Sequence, residues 1–102
     1  MARNSESPHT HRASLRSFIL TTLRDLGGSA EKHVVLANIE QTFGDKLTPA
    51  DFEMRESRAE EKWKSNASYE RNRMKDDGLL VNRADGIWQL TDAGVVEASL
   101  LP

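Results

Sequence analysis

Residues 63–94, WKSNASYERNRMKDDGLLVNRADGIWQLTDAG, decide the fold. They open with a polar-faced helical stretch, are stopped by Gly78, and continue as two short β-prone segments, 79–82 and 87–90, joined over Arg83-Ala84-Asp85-Gly86. On a wheel of about 100° per residue, Trp63, Ala67, Glu70 and Met74 share one narrow sector that must face the body of the domain. Glu70 is the awkward member of that sector, and it is expected at the edge or beside a cation. Ser65, Ser68, Tyr69 and Asn72 fall opposite, flanked by Lys64, Arg71, Arg73 and Lys75. A helix with a small, polar, basic outward face followed by a β-hairpin is the order of a recognition helix and its wing.

Working outward, Leu15, Phe18, Ile19, Leu23 and Leu26 form a single apolar stripe, which predicts a helix ended by Gly27-Gly28. Ser29-Ala30 is placed for a very short first strand, which two residues alone cannot establish. A second helix is expected over residues 31–43, with Val35, Leu36, Ile39 and Phe43 inward and Gly44 stopping it. Thr48-Pro49-Ala50-Asp51 has the cap, the proline and the early acid of a helix start, giving a short helical turn over residues 49–55. Residues 56–61 are charged, and periodicity leaves them as either the start of the next helix or an exposed connection. Thr91 caps a last helix over residues 92–100, whose Val95, Val96, Leu100 and Leu101 exceed what one small core needs. The expected fold is α+β, mostly α: a winged helix-turn-helix of three to four helices plus a small β-hairpin wing. It occupies residues 13–102, behind a disordered polar arm at residues 1–12.

A chain of 102 residues with 37% hydrophobic side chains fits one small domain. It has no cysteine, which excludes disulfides, thiolate metal sites and cysteine nucleophiles. No stretch approaches the roughly 18 apolar residues of a membrane span, and the first dozen residues lack the apolar core of a signal peptide. The reading is a cytoplasmic, soluble protein with no membrane partner. Its net charge of -2 opposes nucleic-acid binding, but the distribution matters more than the sum. Positive charge collects at Arg3, Arg12, Arg16 and Arg24 near the start, and at Lys62, Lys64, Arg71, Arg73, Lys75 and Arg83 around the third helix and wing. The acidic excess lies between them.

Other candidate chemistry is weaker. Glu60-Glu61-Lys62 downstream of Pro49-Ala50-Asp51 imitates a metal-dependent nuclease signature, but the residues fall on helical or connecting segments rather than on paired strands. His9 and His11 lack a third ligand, so no metal or other cofactor is expected. Trp63 and Trp88 fall at inward positions and are read as core aromatics. Tyr69 points outward, where an aromatic suits a phosphate or a base edge.

FGDKLTPADFE at residues 43–53, Trp63, DGLL at 77–80 and GIWQLTDAG at 86–94 together resemble the N-terminal winged-helix domain of Mrr-type restriction proteins, from about Leu15 to about Val96. The resemblance implies a DNA-targeting module like that of a restriction system. In such proteins the nuclease is a separate C-terminal domain, and this chain stops before one could begin. The outward helix face departs from the pattern, with Ser and Asn where relatives are richer in Arg.

These readings converge on a non-enzymatic, nucleoid-associated binder of double-stranded DNA. Ser65, Asn66, Ser68, Tyr69 and Asn72 enter the major groove, and Lys64, Arg71, Arg73 and Lys75 sit on phosphates. Arg83 on the wing and Arg12 or Arg16 on the arm reach adjacent backbone or the minor groove. A standalone transcription regulator sharing only the fold is a second possibility. The rival is a protein-interaction winged helix using the acidic segment 51–61 and the apolar last helix, which is also a candidate homodimer seam.

Overall fold

The structure is a computed structural model and describes residues 10–55 and 60–102. The disorder expected of the arm therefore lies outside the described residues as far as residue 9. Helix α1, Arg12–Asp25, buries Leu15, Phe18, Ile19, Leu20 and Leu23 as its apolar period dictates. It ends when the Gly28 N–H bonds the Leu23 carbonyl at 2.7 Å and the Gly27 N–H bonds that of Arg24 at 3.2 Å, so the chain turns back to the core. Leu26, expected inward, occupies the C-cap at that turn and is exposed.

Strand β1, Ser29–Glu31, leads directly into α2, Lys32–Phe43. Val35, Leu36 and Ile39 are buried, and Phe43 stacks on Phe18 with ring centroids 4.2 Å apart. The helix ends at Phe43 with Gly44 as its C-cap, as expected, but Gly44 stays in the right-handed helical region and the chain tightens into a 3₁₀ turn over Gly44–Lys46. A second 3₁₀ turn, Pro49–Phe52, is held by a reciprocal capping box between Thr48 and Asp51. It then gives way to strand β2, Met54–Arg55, where a continued helical turn was expected. Strand β3, Glu60–Glu61, pairs antiparallel with β2 and runs straight into α3, Lys62–Asp76. Glu60 and Glu61 are thus on a strand, not on a helical or connecting segment.

Trp63, Ala67, Glu70 and Met74 of α3 are all buried against the body, as the wheel requires. After α3, Gly78 adopts φ +81°, which lets the Leu79 N–H reach the Met74 carbonyl at 2.8 Å. Leu80 then bridges Leu90, and the Val81 N–H bonds the Gln89 carbonyl at 2.8 Å, closing a narrow hairpin. Its return strand β4, Ile87–Gln89, is antiparallel to β1, with Ala30 opposite Trp88. That register buries Trp88 and leaves Ile87 half-buried, resolving the inward face of the hairpin. Helix α4, Asp92–Ser99, follows, with the Thr91 hydroxyl accepting from the Gly94 N–H at 3.0 Å. Arg24 of α1 donates to the Ala98, Leu101 and Pro102 carbonyls, which fastens the end of α4 to α1. The order α1-β1-α2-α3-hairpin is a winged helix, with the β2–β3 ribbon inserted ahead of α3.

Candidate nucleic-acid interface

The side of α3 away from Trp63 is where the candidate site is built. Tyr69 is 45% exposed, and Asn72 and Arg73 are also exposed. Ser65 lies on the same azimuth but is completely buried, and its hydroxyl donates to Glu60 Oε2 at 2.7 Å. The expectation that Ser65 faces outward is corrected. The helical period alone puts it there, but the 3₁₀ turn at Pro49–Phe52 and the β2–β3 ribbon pack over the first turns of α3. The ribbon is welded down by Trp63 Nε1 donating to Glu61 Oε1 at 3.2 Å and Lys62 Nζ donating to Glu53 Oε1 at 3.0 Å. Open helix surface therefore begins near Ser68, a full turn later than the sequence implies.

Asn66 and Ser68 are half-buried on either side of this surface, and the Ser68 hydroxyl donates back to the Lys64 carbonyl at 3.1 Å. The cations divide into bound and unbound. Arg71 reaches sideways: one Nη donates to the Arg83 carbonyl at 3.0 Å, the other to Asn72 Oδ1 at 3.2 Å, and its buried Nε has no hydrogen-bond partner among the described residues. Arg83 grips Asp85 through Nε at 3.1 Å and Nη2 at 2.6 Å, and donates to Gln89 Oε1 at 2.6 Å. The hydrogen bonds from Arg83 and from the Ile87 N–H hold the Asp85 carboxyl below the usual carboxylate range. The wing arginine is thus neutralised within the wing rather than extended from its tip.

Arg16 is not on an arm. It lies within α1, where its Nε contacts Glu70 Oε2 at 2.5 Å and its Nη2 contacts Asp77 Oδ2 at 2.8 Å. Burial opposes its charge, yet the bonds to Asp77 and Glu70 raise its pKa overall. This pairing answers the problem posed by Glu70, which is buried in the core-facing sector with Arg73 as a second, longer contact at 3.4 Å. Lys64 sits 3.5 Å from Glu61 Oε1 and over the Trp63 ring at 5.9 Å. Arg12 opens α1 and is exposed; it and the half-buried Lys75 make no ion pair among the described residues.

Arg12 and Arg16 of α1, with Glu70, Arg73, Asp76 and Asp77 from the second half and end of α3, line an open cleft of about 450 Å³. The result is a polar stripe on α3 with free or partly free cations on each side, Arg12 and Arg73 towards α1 and Lys75 towards the wing. The nuclease-like residues have structural partners instead: Asp51 caps its turn and accepts from Thr10, Glu60 holds Ser65, and Lys62 pairs with Glu53. His11 is the N-cap of α1, accepting from the Ala13 N–H at 3.1 Å. No helix of the described residues is long and apolar enough to cross a membrane.

Sequence reading missed Asp76, exposed on the same stripe as Tyr69 and Asn72, although the helical spacing of i, i+3 and i+7 could have found it. The model of the Mrr N-terminal domain family matches residues 13–98. No curated protein and no solved structure matches the chain.

Proposed function

The chain belongs to the Mrr N-terminal domain family, and we propose on that premise that it binds double-stranded DNA as a recognition module and performs no chemistry itself. The observation that carries this reading is the exposed α3 stripe of Tyr69 and Asn72, bordered by Arg73 and Arg12 on one side and by Lys75 and the wing on the other. A stripe of that kind suits a major groove about 12 Å wide, with the flanking cations on the phosphate rails. Asn72 is the residue placed to read adenine through N6 and N7, and Ser68 and Tyr69 supply hydroxyls beside it. Ser65, sealed by Glu60, has no part in this reading. Arg71, Arg16 and Arg83 shape the surface and do not contact phosphate.

Phosphate contact then falls to Arg12, Lys64, Arg73 and Lys75. Four contacts give a salt slope of about -3 to -4, so affinity should drop roughly 100-fold between about 50 and 200 mM salt. Arg12→Ala and Lys75→Ala should each make the slope shallower by about 0.9. Titration of a labelled duplex over that salt range is the test. A slope near zero, or one that neither variant changes, would refute the reading. Such a module works wherever the chromosome is accessible, in restriction or in transcriptional control, at the nucleoid.

A second reading is favoured by α4. Val95, Val96 and Leu100 are 52%, 60% and 74% exposed, an apolar face that suits a protein interface, including one between two copies. Sedimentation of the wild type against Val96→Asp decides whether two copies use it: a dimer that dissociates in the variant supports the seam, and a monomeric wild type removes it.

A further inference from the structure

We propose that Asp76 is a specificity-determining residue, which accepts a hydrogen bond from the exocyclic amino group of a cytosine on the floor of the major groove. The inference rests on the DNA-binding reading and deepens it.

Three observations carry it. At about 100° per residue, Asp76 lies between Tyr69 and Asn72 in azimuth, within a sector of about 60° whose Asn72 edge is directly opposite Trp63. All three side chains are exposed. Asp76 therefore belongs to the stripe that faces the groove, at its edge towards the cleft that it lines with Arg12, Arg16 and Arg73. Secondly, it makes no hydrogen bond or ion pair among the described residues, whereas its neighbour Asp77 pairs with Arg16 and Glu70 pairs with Arg16 and Arg73. Among the described residues its charge has no direct partner, although Arg12, Arg16 and Arg73 line the same cleft.

Thirdly, its position is locally unfavourable. It is the last residue of α3, where the helix dipole disfavours an acid, and it sits on a surface whose flanking cations suit a polyanion. Side chains that break a local preference without a direct partner to hold them concentrate at functional sites. A carboxylate on this stripe is repelled by phosphates and by the acceptor edges of guanine and thymine. The donors on the major-groove floor are the amino groups of cytosine N4 and adenine N6, and a carboxylate suits the cytosine N4 donor while Asn72 suits adenine. The two side chains are one helical turn apart and would read neighbouring base pairs.

The test is selection from a pool of random duplexes by the wild type, Asp76→Ala and Asp76→Asn. Asp76 is exposed, so both variants should fold, which circular dichroism checks. The wild type should enrich a motif containing a cytosine column. Asp76→Asn should move that one column to adenine. Asp76→Ala should flatten it, with a loss of preference of about five- to a hundredfold, while binding to the unselected pool strengthens. A motif unchanged in both variants, with stronger binding throughout, would overturn the proposal and leave the carboxylate a purely electrostatic brake. Duplex retained without preference by the wild type also overturns it but spares DNA binding. No retention of duplex by the wild type overturns both.

Discussion

The Arg71 guanidinium donates to the backbone carbonyl of Arg83 at 3.0 Å, a bond from the middle of α3 to the wing. Because Arg83 is itself clamped to Asp85 and Gln89, the hairpin and the helix form one rigid surface and not a helix with a loose appendage. A surface fixed before binding avoids the ordering cost that a mobile wing would incur on meeting DNA. The role of Arg71 is therefore support.

Support and contact are separable by salt. Arg71→Ala should weaken duplex binding and speed hydrogen exchange at the Val81 and Ile87 amides, yet leave the salt slope near its wild-type value. Lys75→Ala should do the reverse, with a slope shallower by about 0.9 and unchanged exchange in the wing. Anisotropy titrations over a salt series, paired with exchange mass spectrometry, distinguish the two.

The ion pairs around Glu70 make a stability prediction. Arg16→Met leaves a buried carboxylate with only the longer contact to Arg73, and should cost about 1–3 kcal/mol, the half-exposed arginine tempering the loss. Adding Glu70→Met should recover most of it, since the paired charges and a well-packed apolar pair are similar in net stability. Urea unfolding of the single and double variants measures both. Equal destabilisation of the two would mean that Glu70 does more than answer Arg16.

Gly94 is held by space. A Cβ there would lie 2.1 Å from the Leu79 carbonyl oxygen, the same oxygen that accepts from the Thr91 N–H. Gly94→Ala should push α4 away from the hairpin and cost about 1–3 kcal/mol, even though alanine is the better helix former. Thermal denaturation should show a lowered midpoint, and an unchanged or raised one would contradict this packing.

Asp51 links Thr10, the residue before the N-cap of α1, to the turn ahead of α3. Burial pushes its carboxyl up, but the Thr10 hydroxyl and amide and the Thr48 amide outweigh burial and hold it below its ordinary value of 3.8. A carboxylate lowered on folding contributes stability above its unfolded pKa, and that contribution is lost as pH falls through the folded value. Stability should therefore decline below a pH of about 4. Asp51→Asn should cost about 1 kcal/mol at neutral pH and flatten the decline. Urea midpoints measured from neutral pH down to the acid limb test it, and parallel curves for the two proteins would rule this linkage out.

What the sequence made legible follows its periodicity. The stripe of α1, the inward tryptophans, the caps at Thr48 and Thr91, and the helix-then-hairpin order from Trp63 onward are local signals, and the structure has them. Ser65 is misplaced because its burial depends on the Pro49–Phe52 turn and strands β2 and β3 being brought over it, which no local pattern encodes. The engagement of Arg16 and Arg71 was illegible for the same reason: a basic residue reads as available until its partner, 54 residues away for Arg16 and Glu70, is known. The main partner of Arg83 is local, Asp85 in the same turn, and that pairing was open to a reading of the sequence. Leu26 looked apolar and periodic, but the turn that follows it carries it out of the core.

The most direct measurement is a nuclear magnetic resonance titration of the full chain with a short duplex at low salt. Shifts in the backbone amides should cluster at Ser68, Tyr69, Asn72, Arg73 and Lys75 and at the start of α1, while α4 stays silent. Shifts confined to Val95, Val96 and Leu100, or none with saturating duplex, would contradict DNA recognition by α3.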